Sequence, residues 1–492
     1  MFLEKSPPSD PVPRAKSVPA MSAPFGEPPA PARQRRRGAH LLTIAKGDCE
    51  IPLQEQLYRQ IRDLILSGQF VQSAKIPSSR AIAQSLKISR NIVLAALERL
   101  QADGWIATRR GSGAIVAYNG PVTQSGLLPG HIRRNARAFS IDHSPADLFP
   151  LKRWMQLQSR CWRQIRHVEL QDAPPAGWED LRNAIARMLA ARRGLACSAD
   201  QIFITTNTRA ALDLAVRALD LHNAAMWVED PGYFGSTQLL RHSGVEAVAV
   251  PVDDEGLQVD VGQLRAPYAR AVLATSSCHF PTCVPLSAAR RKALYAWADA
   301  ASAWILEDDY SWYSHWEGQA PSPMAAENPR TILVSSFNEM LFSGLRVAFL
   351  VAPRHLVDRF AALRSGLEGQ SNGPNQIVLA EFLNRGRLDE HLRNLREAFA
   401  KRRSALAAAI ADQLPAFGLC RQSAGQHLVV ELSRMTAHEC VELASRAQVE
   451  LRAMDRYSIA ARHRRKLILG FTAFTPDALR AGVSRLASAL KP

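Results

Sequence analysis

Six polar side chains between residues 80 and 110 have the chemistry to bind a nucleic acid. They are Arg80, Ser89, Arg90, Asn91, Arg109 and Arg110. The planar guanidinium of arginine donates several hydrogen bonds at once, which suits phosphate oxygens and the edges of bases. The six residues can bind a nucleic acid together only if the fold places them on one surface. The helices and strands that carry them determine whether this condition is met.

The pattern around these side chains predicts a winged helix-turn-helix over residues 49–118. Apolar residues recur at helical spacing from Leu53 to Ile65, a serine precedes a short second helix, and a third helix is predicted from Arg90 to Gln101. Two short β-rich runs around a glycine turn predict a hairpin. In this fold the start of the third helix enters the major groove and the flanking arginines contact phosphates. The alternative is a small helical domain with surface arginines.

The rest of the chain predicts an α/β domain. Short apolar runs alternate with amphipathic helical patterns, and such runs are typical of the buried strands of a mainly parallel sheet. The runs are 202–205, 225–228, 247–250, 271–274, 303–306, 332–334 and 349–351. Ligands of such sheets bind beyond the carboxyl ends of the strands, so the loops at those ends are candidate site residues.

The motifs of the first domain resemble those of the GntR family of bacterial regulators. The matching segments are Leu57-Tyr58-Arg59-Gln60-Ile61, Ile76-Pro77-Ser78-Ser79-Arg80, Ile82 to Val93 and Gly111-Ser112-Gly113. Gln72-Ser73 stands where that family has Pro-Gly, a change that loosens a turn without removing a DNA contact. The resemblance implies double-stranded DNA as a partner.

The loops of the larger domain resemble the MocR subfamily, in which a GntR-type head is fused to a body like the fold-type-I aminotransferases. The matching segments are Glu229 to Gly235, Val250 to Asp253, Glu307 to Tyr310, Gly344 to Arg346 and Gly386 to Arg403. The resemblance implies a fold-type-I body and a head-to-tail homodimer.

The same resemblance places five residues in a pyridoxal phosphate pocket. Tyr233 matches the aromatic residue that stacks on the ring, with a core tyrosine as the alternative. Asp308 matches the acid that pairs with the ring nitrogen, and Asp309 is a near alternative. Tyr310 matches the phenol that bonds the 3′-oxygen, and Ser336 and Arg346 match the residues that hold the phosphate.

Three departures from the family concern the chemistry itself. Glu339 stands where the family has the lysine that forms a Schiff base with the cofactor, and a carboxylate cannot form an imine. Thr206 to Ala210 lacks the glycine of the first phosphate-binding turn. Ile468 aligns with an arginine for a substrate carboxylate, although Arg464 and Arg465 lie near. We therefore expect no catalytic residue, no transamination, and only noncovalent binding of any pyridoxal phosphate.

Composition sets the outer limits of these hypotheses. The net charge of +16 and pI near 9.9 favour a polyanionic partner, although most of the 61 basic residues are arginine, a bias that GC-rich coding also produces. Seven irregularly spaced cysteines argue against a disulfide framework and against a metal site. No apolar run is long enough for a membrane span, and Met1 begins no signal peptide, so we expect a cytoplasmic location.

We predict four segments along the chain. Residues 1–48 form a disordered basic tail, in which the run Arg33-Gln34-Arg35-Arg36-Arg37 is either solvated or in contact with phosphate, and Met21 is a second possible start. Residues 49–118 are the winged helix-turn-helix, 119–142 a flexible linker, and 143–492 the body that dimerises and binds an effector.

The preferred hypothesis is a transcriptional regulator whose body dimerises and senses a small molecule. The residues do not choose among an amino acid, a noncovalent pyridoxal derivative and an unrelated effector. One alternative is an active pyridoxal-phosphate aminotransferase with an appended DNA-binding domain, which Glu339 opposes. Another is an architectural repressor whose body only holds the oligomer together.

Overall fold

The computed structural model describes residues 52–66, 70, 73–109, 113–117, 137–171, 173–366, 373–459 and 463–490. The chain divides into two compact units, one up to Ile132 and one from Arg133 onward. The predicted basic tail and most of the predicted linker lie outside the described residues. Across the described ranges, no helix combines the length and apolar character that crossing a membrane requires.

The first unit, the head, consists of three helices and a hairpin. Its elements are α1 (Leu53–Leu66), α2 (Ser79–Leu86), α3 (Arg90–Ala102), β1 (Ile106–Arg109) and β2 (Gly113–Val116). The two strands pair antiparallel. Leu57, Ile61, Ile82, Val93 and Leu100 are all fully buried in one core. The winged helix-turn-helix predicted from apolar spacing is therefore the observed fold of this unit.

A polar cluster also joins the first and third helices of the head. The Tyr58 hydroxyl donates to Asp103 Oδ2 at 2.7 Å. The Arg99 guanidinium lies 4.4 Å from the centre of the Tyr58 ring and pairs with Glu55. These contacts fix the position of α3, the helix predicted to read DNA, relative to α1.

The second unit, the body, is built around an eight-stranded sheet. The strands are β3 (Ile202–Thr205), β4 (Ala225–Asp230), β5 (Glu246–Asp253), β6 (Gly256–Leu257), β7 (Ala271–Ala274), β8 (Trp304–Asp308), β9 (Thr331–Ser336) and β10 (Ala348–Val351). Their spatial order is β3-β10-β9-β8-β7-β4-β5-β6. The five strands from β9 to β5 run parallel, whereas β10 is antiparallel to both of its neighbours. The sheet is therefore mainly parallel, as predicted.

Helices cover this sheet and build the rest of the body. They are α4 (Leu151–Gln164), α5 (Glu179–Arg193), α6 (Thr208–Ala218), α7 (Phe234–His242), α8 (Val259–Arg265), α9 (Ala288–Ala300), α10 (Val357–Ser365), α11 (Gly373–Asn384), α12 (Arg387–Gln413), α13 (Ala437–Arg446) and α14 (Pro476–Ala489). Serine, asparagine or threonine side chains cap α6, α9, α13 and α14 by accepting a backbone N–H of the first turn.

A second sheet, which the sequence analysis did not predict, lies in the last quarter of the chain. It contains β11 (Phe417–Leu419), β12 (His427–Leu432), β13 (Arg452–Ala453) and β14 (Lys466–Gly470), in the order β11-β12-β14-β13. All its pairings are antiparallel. Its buried side chains, such as Val430 and Leu469, belong to the same apolar core as α12 and α14.

Residues 137–142 belong to the body, which corrects the predicted end of the linker. Phe139 is fully buried, and its carbonyl accepts a hydrogen bond from the Gly470 N–H at 2.8 Å. A side chain at Gly470 or Gly482 would collide with residues 138–140, so both glycines make room for this segment. The prediction failed here because a single phenylalanine in a polar stretch has no local periodicity, and its burial depends on residues more than 300 positions away.

Candidate functional site

The predicted DNA-contacting residues of the head lie at the starts of α2 and α3. Arg80, Ser89, Arg90 and Asn91 are all exposed. The Ser89 hydroxyl caps α3 by accepting the Ile92 N–H at 3.4 Å. Arg90 Nε donates to Ser79 Oγ at 3.1 Å, so the two helix starts are adjacent. Exposed arginine and amide side chains at a helix N-terminus, where the backbone also favours anions, can bind phosphates and base edges.

Of the two arginines predicted for the wing, the structure describes only the backbone of Arg109. The backbone of Arg109 forms the last position of β1, paired with Gly113. Arg110 lies outside the described residues, as does the side chain of Arg109. Their contact with phosphate stays a prediction.

The body contains a cavity of about 400 Å³ beyond the carboxyl ends of its parallel strands. All five residues predicted for the cofactor line it, and Glu339 lines it as well. The five are Tyr233, Asp308, Tyr310, Ser336 and Arg346. They converge because β4, β8 and β9 are parallel, so the residues that end or follow these strands meet at one edge of the sheet.

Asp308 provides a buried acceptor for a ligand. It ends β8 and is 7% exposed, and its Oδ1 atom has no hydrogen-bond partner within the described structure. Burial, followed by the neighbouring carboxylates of Asp309 and Glu307, raises the pKa of Asp308 to about 7. An unpartnered buried oxygen is costly, and a ligand N–H pointing at Asp308 would remove that cost.

Asp309, the alternative to Asp308, has a different partner. Its Oδ2 atom accepts from Arg193 Nη2 at 2.7 Å, and both side chains are 2% exposed. The same nitrogen donates to Ser277 Oγ, and the guanidinium lies over the Trp312 ring. Asp309 is not among the residues lining the cavity, so the two adjacent acids are separated into one that faces the cavity and one that forms a buried ion pair.

Two tyrosines face the same space. Tyr233 is 47% exposed, which argues against the alternative of a core tyrosine, and its ring meets Phe280 edge-on at 5.9 Å. Tyr310 lies directly after Asp308 and Asp309, and burial raises the pKa of its phenol, which therefore stays protonated and able to donate. One aromatic face and one phenol can hold and orient a flat polar ring.

Basic and hydroxyl groups form another part of the wall. Arg346, Arg209 and Ser336 all line the cavity, together with the first residues of α6. Arg346 has a left-handed backbone with φ of 58°, uncommon for any residue but glycine. Two arginines near a helix N-terminus can bind a phosphate or a carboxylate.

The missing glycine has a visible consequence at α6. The Asn207 side chain caps the helix and accepts the Ala210 N–H at 2.9 Å. That amide is therefore engaged by the chain itself, and Arg209 supplies charge nearby in its place. Arg209 was not predicted as a site residue, although its position in the first turn of a helix that follows a buried strand was a usable signal.

Glu339 lies on a loop that is held firmly on both sides. The Asn338 side chain donates to Thr206 O at 3.2 Å and accepts the Val347 N–H at 3.0 Å. Phe337 and Met340 are at most 1% exposed, whereas Glu339 is exposed to the cavity, though protein surrounds it on most sides. No lysine occurs among the described residues that line the cavity.

Several lining residues could not be identified from the sequence. Asp142, Gln426, His427 and Tyr457 come from the predicted linker and from the second sheet and its neighbouring loop. Burial lowers the pKa of His427 to about 4, so this imidazole is neutral. Arg464 and Arg465 are exposed and absent from the lining, and Ile468 is fully buried. A substrate-carboxylate arginine is therefore not found at these positions.

Two sequence families match the chain. Residues 53–116 match the GntR family of bacterial regulatory proteins, and residues 143–480 match aminotransferase class I and II. The two matches together reproduce the head and the body described above.

Several bacterial transcriptional regulators are similar to this chain over nearly their whole length. The probable rhizopine catabolism regulatory protein MocR of Rhizobium meliloti is 29% identical over 91% of this chain and 96% of its own. The HTH-type pyridoxine biosynthesis transcriptional regulator PdxR of Corynebacterium glutamicum is 30% identical over 88% of this chain and 95% of its own. TauR of Rhodobacter capsulatus, another HTH-type transcriptional regulator, is 30% identical over 89% of this chain and 96% of its own.

Solved structures similar to the body include aminotransferases. An archaeal alanine:glyoxylate aminotransferase superposes with a TM-score of 0.67 and 21% identity, covering 72% of this chain and 90% of the enzyme. The α-aminoadipate aminotransferase LysN of Thermus thermophilus superposes with a TM-score of 0.65 and 23% identity, covering 72% of this chain and 91% of the enzyme. At these identities the likeness establishes the fold and leaves the chemistry to the residues of the cavity.

Proposed function

Since the chain belongs to the MocR subfamily of GntR-type transcriptional regulators, we propose that its body holds a phosphorylated pyridine without a covalent bond and controls the DNA-binding head. The chain is a DNA-binding transcriptional regulator with an aminotransferase-like domain. The observation that carries the proposal is the unpartnered Asp308 Oδ1 in a cavity that also contains arginines but no described lysine.

Each predicted cofactor residue has a task that its geometry allows. Asp308 accepts a hydrogen bond from a protonated ring nitrogen, and Tyr233 covers a face of the ring. Tyr310 donates to a ring oxygen, while Ser336 and Arg346 bind the phosphate. PdxR is named as a regulator of pyridoxine biosynthesis, which agrees with a pyridine ligand for a relative of similar length.

We propose that the body does not transaminate. Bound to a lysine, pyridoxal phosphate supplies an electrophilic carbon and an electron sink. Glu339 offers no amine to hold the cofactor. Burial and the Asp142 carboxylate raise the pKa of its side chain, but a carboxyl group in either protonation state cannot form the Schiff base on which transamination depends. The pocket of this chain is left with shape, charge and hydrogen bonding, which are the properties of a sensor.

The test is titration of the full chain with pyridoxal phosphate and with pyridoxine phosphate, which lacks the aldehyde. We expect saturable binding of the phosphopyridines, altered affinity for promoter DNA, and no residue-specific adduct after borohydride reduction and mass spectrometry. A phosphopyridoxyl group on one lysine of the cavity would contradict noncovalent binding. If neither compound binds, the proposal of a pyridine ligand is wrong.

We also propose that two bodies associate through the exposed face of α4. Leu151, Met155 and Trp162 lie on one side of this helix and are 47–58% exposed, while Trp154 and Leu157 on the other side are buried. Val168 and Leu170 extend the apolar surface beyond the helix. A second copy of the chain is the natural partner, because a DNA-binding head reads paired half-sites as a dimer.

A Trp162→Glu variant should shift the protein from dimer to monomer, because it buries a charge in the proposed interface. Analytical ultracentrifugation at several protein concentrations measures the dissociation constant, which we expect to rise at least about tenfold. Leu264→Glu is the matched control, since Leu264 is 83% exposed on α8 rather than on α4. Equal effects of the two variants would contradict the assignment of this face.

A further inference from the structure

The Glu339 carboxylate faces the cavity without a basic partner. No arginine, lysine or histidine of the described structure forms an ion pair with it, and the Asp142 carboxylate is the charged group that acts on it most strongly. Asp142 itself is paired with Arg452. The loop fixes Glu339 in this position, since both its neighbours in the chain are buried. A carboxylate that lines a cavity without a basic partner is a natural partner for a cationic group of a ligand.

The cavity therefore presents two opposite charges to a ligand. Arg209 and Arg346 make one part of the wall cationic, and Glu339 makes another part anionic. The unpartnered Asp308 Oδ1, on a side chain more than nine-tenths buried, is a third fixed feature of the wall, beside the arginines and Glu339. A ligand that satisfies all three needs an anionic group, a donor N–H and a cationic group.

We infer that Glu339 selects an aminated phosphopyridine, a ligand whose primary ammonium group pairs with this carboxylate while its phosphate meets the arginines. The inference rests on the proposed function and adds the form of the ligand. Pyridoxamine phosphate has this chemistry, with a phosphate, a ring nitrogen and an aminomethyl group on one small frame.

Hydrogen-bonding capacity explains the expected order of affinities. An ammonium group has three donors and a positive charge, so it complements an ionised carboxylate, which only accepts. The hydroxymethyl group of pyridoxine phosphate has one neutral donor. The aldehyde oxygen of pyridoxal phosphate only accepts, and it would place an acceptor beside an acceptor. The substitution that prevents a Schiff base thus favours the amine over the aldehyde.

Calorimetric titration of the full-length protein with the three compounds tests the inference. We expect pyridoxamine phosphate to bind about tenfold or more tightly than pyridoxine phosphate, with pyridoxal phosphate weakest, the ratio corresponding to one charge-assisted hydrogen bond. Equal affinity for the amine and the alcohol would overturn the inference and leave the proposed function standing. No binding of any of the three would overturn both.

The variant Glu339→Gln isolates the charge, because it keeps the size of the side chain. We expect the preference for pyridoxamine phosphate to fall toward parity while the affinity for pyridoxine phosphate stays close to that of the unchanged protein. Thermal melting of the full chain verifies that the variant is folded. A preserved preference, or an equal loss of both ligands by a folded variant, would overturn the role of Glu339.

Glu339→Lys provides a reciprocal test with a different readout. A lysine here should repel pyridoxamine phosphate and should react with pyridoxal phosphate, giving a borohydride-stable adduct that mass spectrometry places at position 339. A folded variant that binds pyridoxine phosphate but forms no adduct at this position would show that the side chain does not reach the ligand. That result would overturn the inference without touching the noncovalent site.

Discussion

Replacing Arg193 by methionine will destabilise the body by about 3–5 kcal/mol, because it leaves the Asp309 carboxylate buried without its cation. Arg193 ends α5, and its guanidinium bonds both Asp309 and Ser277 with only 2% of the side chain exposed. Asp309 cannot move to water, since its own backbone is tied to β9: its N–H donates to Val334 O and its carbonyl accepts from Ser335 Oγ. Calorimetric or circular-dichroism melting of the full chain measures the loss.

The adjacent residue supplies the control for this prediction. Arg192 also pairs with an aspartate, Asp389, but the two side chains are 34% and 47% exposed. Arg192→Met removes the same charge from the same helix, and a surface pair contributes at most about 1 kcal/mol. Similar melting temperatures for the two variants would show that the buried pair is worth no more than the exposed one.

An Arg90→Ala variant will weaken binding to the cognate operator by about 1–3 kcal/mol, a loss of about fivefold to more than hundredfold, if the guanidinium bonds a base edge in two places. Arg90 is exposed at the start of α3, and its Nε atom bonds Ser79, which directs the side chain along the surface shared by α2 and α3. Fluorescence anisotropy with operator and scrambled DNA separates lost specificity from lost charge.

Two further arginines show what a simple charge effect looks like. Arg59 is 52% exposed on α1 and pairs with Glu55, so Arg59→Ala changes the net charge equally without altering the start of α3. We expect little change from it. Arg80→Ala should weaken operator and scrambled DNA alike and reduce the salt dependence, as loss of a phosphate contact does. If Arg90→Ala behaves like Arg80→Ala, then Arg90 does not read bases.

The central sheet was predictable because its strands are continuous apolar runs. Each of the seven predicted runs overlaps an observed strand of the central sheet. β3, β4, β7, β9 and β10 are buried on both faces, which explains why no alternation was needed to find them, whereas β5 is only partly buried. The second sheet was missed for a different reason. β11 and β13 have three and two residues, too few to form a pattern, although the apolar positions of β12 were visible in the sequence.

The cavity was predictable to the extent that it follows the ends of parallel strands. Asp308, Tyr310 and Ser336 lie at such ends, and the structure places them together. Asp142 and His427 also line the cavity, but neither residue directly follows a strand of the central sheet. Their positions depend on long-range packing, such as the insertion of Phe139 beside β14, which a local pattern does not record.

We propose that this insertion couples the cavity to the DNA-binding head. The chain that leaves the head enters the body at residues 137–140, and the next two residues, Ile141 and Asp142, are already part of the cavity wall. In this proposal, a ligand that favours one arrangement of the wall acts on Ile141 and Asp142, next to the point at which the chain from the head enters the body. Linkage then requires reciprocity: whatever factor the ligand imposes on operator affinity, the operator imposes on ligand affinity. Saturating the protein with its operator should therefore change the ligand titration by the same ratio.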